Sequence, residues 1–241
     1  MKPIEYFENR IINFDCLKVM PHIPDKSIDM ILCDLPYGTT ACKWDTVIPF
    51  EPLWKEYKRI IKDNGAIVLT ASQPFTSALI MSNIEMFKYE WIWDKAKATG
   101  HTLCNSRPLK SHENILVFYK NQPTYTPQKS KGNPYNGRKN PIATEEWGFG
   151  KKRNDNMGDR FPRSVFYEKS GDRGKRLHPT QKPTELFEYL IKTYTNEGDI
   201  VLDNCIGSGT TAVACKNTNR HFIGIELDKG YCEIARKRLL D

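Results

Sequence analysis

Asp34, Leu35, Pro36, Tyr37 and Gly38 follow directly on the apolar run 28–33. Together they present an acid, a backbone carbonyl in a proline-stiffened turn and an aromatic ring. An acid at the carboxyl end of a buried strand lies where open parallel sheets place their ligands. The set suits a planar amine. The exocyclic nitrogen of adenine is a poor nucleophile because its lone pair is delocalised into the ring. Two acceptors pulling on its hydrogens, the Asp34 carboxylate and the Leu35 carbonyl, favour a pyramidal nitrogen that can attack. Tyr37 would stack on the base, as pockets for extruded bases require. The plainer alternative is a strand-ending Asp with a type I or II turn around Pro36.

A second set runs Asp203, Asn204, Cys205, Ile206, Gly207, Ser208, Gly209, Thr210, Thr211, out of an apolar run and into a helical pattern. Its alternate glycines let backbone approach a ligand closely, and the amides that open the following helix point at it. The turn lacks the Lys of a phosphate-cradling loop, which disfavours nucleoside triphosphates. Glu226 closes the run 221–225 about seventeen residues after Gly209, where an acid can take both hydroxyls of a ribose. Glycine turn and acid together indicate a nucleoside-containing cofactor, either a nicotinamide dinucleotide or S-adenosylmethionine. A strand-ending acid without a ligand is the alternative.

Short apolar runs and helical patterns alternate around these sets, which indicates an α/β chain. The runs 11–14, 28–33, 66–70, 89–93, 114–119, 200–202 and 221–225 read as buried parallel strands, and 50–61, 73–81, 184–194, 209–216 and 229–240 as helices. In the last helix Tyr231, Ile234, Ala235 and Leu239 share one face, while Phe187 and Trp91 read as core. Both patterns fade between 120 and 178, too long for an ordinary loop. Residues 120–182 hold fifteen Lys or Arg against six Asp or Glu, a net +9, so the rest of the chain sums to −2. Tyr125, Tyr135, Trp147, Phe149, Phe161 and Tyr167 are interleaved with those cations, as on a surface that meets a polyanion.

The 241 residues suffice for one sizeable core plus an insertion. No apolar run approaches the roughly 20 residues that span a bilayer, and the first ten residues lack a signal-peptide core, so a cytoplasmic protein is expected. Seven cysteines without CxxC spacing favour neither disulfides nor a metal, and the zinc set of a deaminase is missing. His101, His112 and His178 read as structural hydrogen-bonders.

Asp34 to Tyr37 resembles the (Asp/Asn/Ser)-Pro-Pro-Tyr motif of amino methyltransferases, and Asp203 to Thr211 resembles their Asp-Pro-Phe-x-Gly-Ser-Gly-Thr cofactor loop. Catalytic motif first and cofactor loop last is similar to the permuted β group of S-adenosylmethionine-dependent DNA methyltransferases, within the N4/N6 family. His178, Pro179, Thr180, Gln181, Lys182 and Pro183 match the segment preceding the loop in that group. Asp15, Cys16 and Leu17 match its short acid-led motif, which lies beside the cofactor adenine.

The resemblance implies a doubly wound, mostly parallel, seven-stranded Rossmann-like methyltransferase sheet with one antiparallel strand. It implies a catalytic domain of residues 1–119 and 178–241 and a target recognition insertion of residues 120–177. Asp34, Leu35, Pro36 and Tyr37 would be catalytic. Asp15, Cys16, Asp34, Lys182, Asp203, Cys205, Gly207, Ser208, Gly209, Thr210, Glu226 and Leu227 would bind S-adenosyl-L-methionine. The substrate would be double-stranded DNA in a restriction-modification setting, with a homodimer as the further partner and no metal. Asp at the first motif position leans toward adenine N6 and Ser toward cytosine N4, which stays as the close alternative.

Leu35 replaces the first proline of the motif, although the role there belongs to a carbonyl. Asn204 and Cys205 replace Pro and Phe in the loop and bear on how snugly the cofactor is held. They motivate the rival reading of a DNA-binding regulator that kept the fold and lost transfer, against which Asp34, Pro36, Tyr37 and Glu226 argue together.

Overall fold

The computed structural model describes residues 2–39, 45–137, 155–167 and 181–240. The chain divides into two units, one of Met1–Thr126 with Ser164–Asp241 and the other Pro127–Arg163.

The first unit is built on an eight-stranded sheet. Its strands are β1 (Arg10–Asn13), β2 (Ile28–Asp34), β3 (Ile61–Ala71), β4 (Phe87–Thr99), β5 (Lys110–Phe118), β8 (Val165–Tyr167), β9 (Ile200–Asp203) and β10 (His221–Glu226). The spatial order is β1-β10-β9-β2-β3-β5-β4-β8. Only β5 runs antiparallel to its neighbours. Among the described residues six α-helices accompany the strands: α1 (Cys16–Val19), α2 (Phe50–Ile60), α3 (Phe75–Met81), α4 (Thr184–Tyr194), α5 (Thr210–Asn217) and α6 (Lys229–Arg238).

Alternation along each strand explains the layers. On β2, Ile31 and Cys33 face a core closed by Leu53 and Tyr57 of α2 and Phe75 of α3, whereas Met30 and Leu32 face one closed by Phe187 and Leu190 of α4 and Ala212 of α5. Both faces of β2 are therefore buried, and its near-continuous apolar sequence is what a central parallel strand requires. Each such side chain withdrawn from water contributes about 1.5–3 kcal/mol. Phe187 and Trp91 lie in the second core, as expected, while His101 and His112 stand exposed rather than tied into structural hydrogen bonds.

From β9 the chain proceeds to β10, and β1 then pairs with β10, so the permuted order expected from the sequence appears as three adjacent strands. From β2 it proceeds the other way, to β3. The direction reverses between β9 and β2, which pair through Met30 with Val201 and Ile31 with Leu202. That is the crevice where doubly wound sheets bind ligands, and it lies beside Asp203 and Asp34.

Three features depart from the sequence pattern, the first being that the run 114–119, read as parallel, lies in the antiparallel β5. β4 and β5 extend past the apolar runs to Thr99 and from Lys110, because a hairpin satisfies its own backbone without needing buried side chains there. Val165–Tyr167, read as insertion, pairs in parallel with Ile92–Asp94 as an eighth strand beyond the seven implied.

The second unit is a small ribbon. Its strands β6 (Ser130–Lys131) and β7 (Asp159–Arg160) are antiparallel, and a bridge joins Tyr135 to Asn156. The Arg160 guanidinium lies 4.8 Å from the Tyr135 ring centroid and the Lys129 ammonium 4.9 Å from that of Phe161. Both rings are exposed, so cations rather than a core partner them. Trp147 and Phe149 lie outside the described residues, as do Cys42 and His178.

Candidate active site

A cleft of about 1080 Å³ runs along the carboxyl edges of β10, β9, β2 and β3. Of the residues expected to act, Asp15, Cys16, Asp34, Leu35, Pro36, Tyr37, Lys182, Asp203, Cys205, Gly207, Ser208, Thr210, Glu226 and Leu227 all line it. Gly209 does not. A Cβ on it would come within 2.8 Å of the Ala235 Cβ, and its φ is +86°, so this glycine lets α5 begin tightly against α6.

At one end the glycine turn is fastened by backbone. Asp203, 3% exposed, accepts from the Cys205 amide at 3.0 Å and from the Thr211 hydroxyl. Burial pushes its carboxyl up to about 7. Glu226 accepts from the Gly207 amide at 2.8 Å and the Asp228 amide at 2.9 Å, and burial raises its pKa as well. Asp15 accepts from the Leu17 amide at 2.9 Å and caps α1. The replaced residues of the loop are built into it. Asn204 is 2% exposed, accepts from the Tyr57 hydroxyl and stands 3.6 Å from both the Cys16 and Cys205 sulfurs. A side chain from α2 thus anchors the turn where proline would have stiffened it. The described cysteines are free thiols.

This end fits a cationic nucleoside cofactor. A Cβ at Gly207 would meet nothing nearer than 4.0 Å, so the turn offers bare backbone and open space. Glu226 retains acceptor capacity beyond its two amides, because a carboxylate has about four lone-pair sites. Phe14 and Leu227 line the cleft with 54% and 73% of their surfaces exposed, so apolar surface is open to a flat ring there. Asp15, Glu226 and Asp228 also line this end, and acidic side chains suit a cationic sulfonium.

At the other end charges satisfy one another. Asp34 closes β2 opposite Thr70 of β3. One carboxylate oxygen accepts from Tyr37 Oη at 2.7 Å and from the Thr70 hydroxyl; the other accepts from Lys182 Nζ at 2.7 Å. Lys182 also lies 3.3 Å from Glu113, whose second oxygen is 3.2 Å from Lys95. Burial opposes the Lys182 charge, yet the Asp34 and Glu113 carboxylates outweigh it and hold the ammonium above its ordinary pKa. Its charge is thus committed to this end, while its carbonyl meets the Thr210 hydroxyl at 3.5 Å. The Tyr37 ring stacks on Phe75 at 5.2 Å, and burial, reinforced by Asp34, holds its phenol protonated. Leu35 buries its side chain at 3% exposure, leaving the backbone as its polar contribution to the cleft. Asp45 accepts from the Gly38 and Thr39 amides at 2.8 and 2.9 Å and fixes the turn after the acid.

Phe14, Thr70, Ser72, Lys95, Lys110 and Glu113 join the site without having been singled out in the sequence. Lys110 donates to Ser72, and burial lowers its pKa. Among the described residues no group of three or more ligating side chains could hold a metal, and no helix is long and apolar enough to cross a membrane.

A family model described as DNA methylase, of the N6 and N4 type, matches residues 28–237. The type II methyltransferase M.HpaI of Haemophilus parainfluenzae is 31% identical over 96% of this chain and 74% of its own length. M2.LlaDCHI of Lactococcus lactis subsp. cremoris is 31% identical over 99% and 92%. Among solved structures, the M1.HpyAVI complex with SAM is similar at a TM-score of 0.68 and 27% identity, covering 95% of this chain and 98% of that one. The cytosine-N4-specific PvuII DNA methyltransferase shares the fold at a TM-score of 0.70 and 14% identity, over 96% and 86%. With the family model spanning most of the chain and relatives aligned along nearly all of it, the protein belongs to the N6/N4 family of DNA methylases.

Proposed function

We propose that the protein transfers the methyl group of S-adenosylmethionine to the exocyclic N6 of an adenine flipped out of duplex DNA, as a modification enzyme like its type II relatives. One observation carries this reading: Asp34 and the Glu226-braced glycine turn face one cleft across the β9–β2 crevice. A binder without chemistry has no use for an acceptor acid beside a cofactor turn.

In this reading the cofactor end belongs to Asp15, Cys16, Asp203, Cys205, Gly207, Ser208, Thr210, Glu226 and Leu227. Glu226 takes the ribose hydroxyls and Phe14 packs on the adenine ring. Bound S-adenosylmethionine supplies a methyl group on a sulfonium, and hence the driving force. Asp34 and the Leu35 carbonyl accept the two hydrogens of the target amine and turn its lone pair toward the methyl group. Pro36 restricts the turn that aims the carbonyl, and Tyr37 flanks the base while holding Asp34. The nitrogen becomes acidic as it is methylated, so its proton leaves late, through Asp34 to water. Alignment of this kind contributes roughly 7–11 kcal/mol at best. The basic, aromatic Pro127–Arg163 unit serves as the target recognition surface, with its phosphate contacts giving affinity and its rings available to bases.

The test is incubation with methyl-labelled S-adenosylmethionine and mixed-sequence duplex DNA, followed by digestion to nucleosides. Label in N6-methyl-deoxyadenosine is expected. Label in N4-methyl-deoxycytidine would keep the mechanism and move the substrate, and DNA binding without label would turn the reading to a regulator.

A further inference from the structure

Buried Lys182 sits between two half-buried carboxylates on different strands, and it serves them unequally. Its ammonium is 2.7 Å from Asp34 of β2 and makes a hydrogen bond there. It is 3.3 Å from Glu113 Oε2 of β5, and among the described residues that buried oxygen accepts no hydrogen bond at all. Its contact is thus a long ion pair with Lys182 and not a hydrogen bond, which leaves it as a second seat that the ammonium can occupy more closely. Lys95 holds the other Glu113 oxygen, and Lys110 is bound to Ser72, so neither fills it.

The need for that seat follows from the reading of Asp34 as the acceptor of the target amine, on which this inference rests. Asp34 accepts three hydrogen bonds as it stands, from Tyr37 and Thr70 on one oxygen and from Lys182 on the other, so the acceptor capacity left to it is on the oxygen that Lys182 holds. An amine bonding to Asp34 meets the Lys182 ammonium in its place. The amine nitrogen also gains positive charge during methylation, and a cation held beside it would oppose that charge where few waters screen it. We propose that Glu113 is a positioning residue, which receives the Lys182 ammonium when the target amine replaces it on Asp34. Lys182 thereby keeps Asp34 paired while the cleft is empty and withdraws as the base arrives. Its charge stays compensated in both positions. The groups facing it are Asp34 and Tyr37 on the β2 side, Lys95 of β4, and Glu113 with Lys110 of β5.

The experiment compares single-turnover methyl transfer to mixed-sequence duplex DNA by wild type, Glu113→Gln and the double variant Glu113→Gln with Lys182→Met. Cofactor affinity by calorimetry and duplex affinity by anisotropy are measured alongside. Glu113→Gln is expected to slow transfer about tenfold or more with both affinities within about twofold, because the lysine loses its second seat. The double variant is expected to transfer faster than Glu113→Gln, since nothing remains to be relocated. A wild-type rate in Glu113→Gln, or a double variant no faster than the single, would overturn the inference. Should Glu113→Gln not fold, Glu113→Asp carries the test: its shorter carboxylate should slow transfer about threefold or more, and a wild-type rate would overturn the proposal. Failure of the wild type itself to label either base would instead overturn the reading of Asp34.

Discussion

The two ends of the cleft solve the same problem, carboxylates drawn partly or wholly out of water, with different partners. Glu226 and Asp203 are held by the amides of Gly207, Asp228 and Cys205, whereas Asp34 and Glu113 are held by Lys182 and Lys95. Backbone amides are fixed by the fold and present one geometry. Side-chain cations can change partner at little cost, provided a second anion is within reach. A cofactor must be gripped the same way at every turnover, while the reacting end has to admit and release a base. In the proposed function the difference in construction follows that difference in duty.

The largest break in the comparison comes from Asp34→Ala. Transfer should fall about 10³-fold or more, since the proposed acceptor for the amine is gone while Glu113 still pairs Lys182. Near-normal turnover would show that Asp34 does not hold the target. Glu226→Ala attacks the opposite end and should weaken S-adenosylmethionine about 10- to 100-fold in calorimetry, the value of hydrogen bonds to a charged group, while leaving duplex affinity unchanged.

Asp203 sharpens the contrast through pH. Its folded pKa of about 7 lies above the ordinary 3.8, so the folded protein binds the extra proton between those values and stability declines as pH rises through that window. Asp203→Asn removes the dependence. The melting temperature of wild type relative to this variant should therefore be higher at pH 5 than at pH 8, and an equal difference at both would rule out burial as the cause. Gly209→Ala should have the smallest effect, a loss of about 1–3 kcal/mol from crowding Ala235 at a positive φ. Cofactor affinity should hardly change, because Gly209 is not part of the lining.

How much of this the sequence discloses depends on how local each determinant is. The glycine turn and the Asp34 to Gly38 segment are legible because strand, turn and chemistry fall within a few consecutive residues. The pairing of Asp34 with Lys182 spans 148 positions and that of Asn204 with Tyr57 spans 147, so no spacing rule reaches them. Glu113 lies in the polar half of β5, where the apolar pattern that marks 114–119 has not begun. Its partner strand carries Lys95 and Lys97 beyond the last tryptophan, and the same polarity hides the hairpin's full length. Val165–Tyr167 is too short to stand out from a basic, loop-rich neighbourhood and becomes a strand only because β4 offers an edge. Asn204 and Cys205 read as a weakened cofactor loop by comparison with the family motif, yet the contact from Tyr57 supplies stiffness from another helix.

The central claim is that a fixed cofactor end serves a separate, charge-paired transfer end. It is tested most directly by titrating Asp34→Ala with S-adenosylmethionine in a calorimeter. The account expects an affinity within about twofold of wild type, because Glu226, Asp203 and the Gly207 amide are untouched by the substitution. A loss of tenfold or more would mean that Asp34 helps to hold the cofactor and that the two ends work as one site.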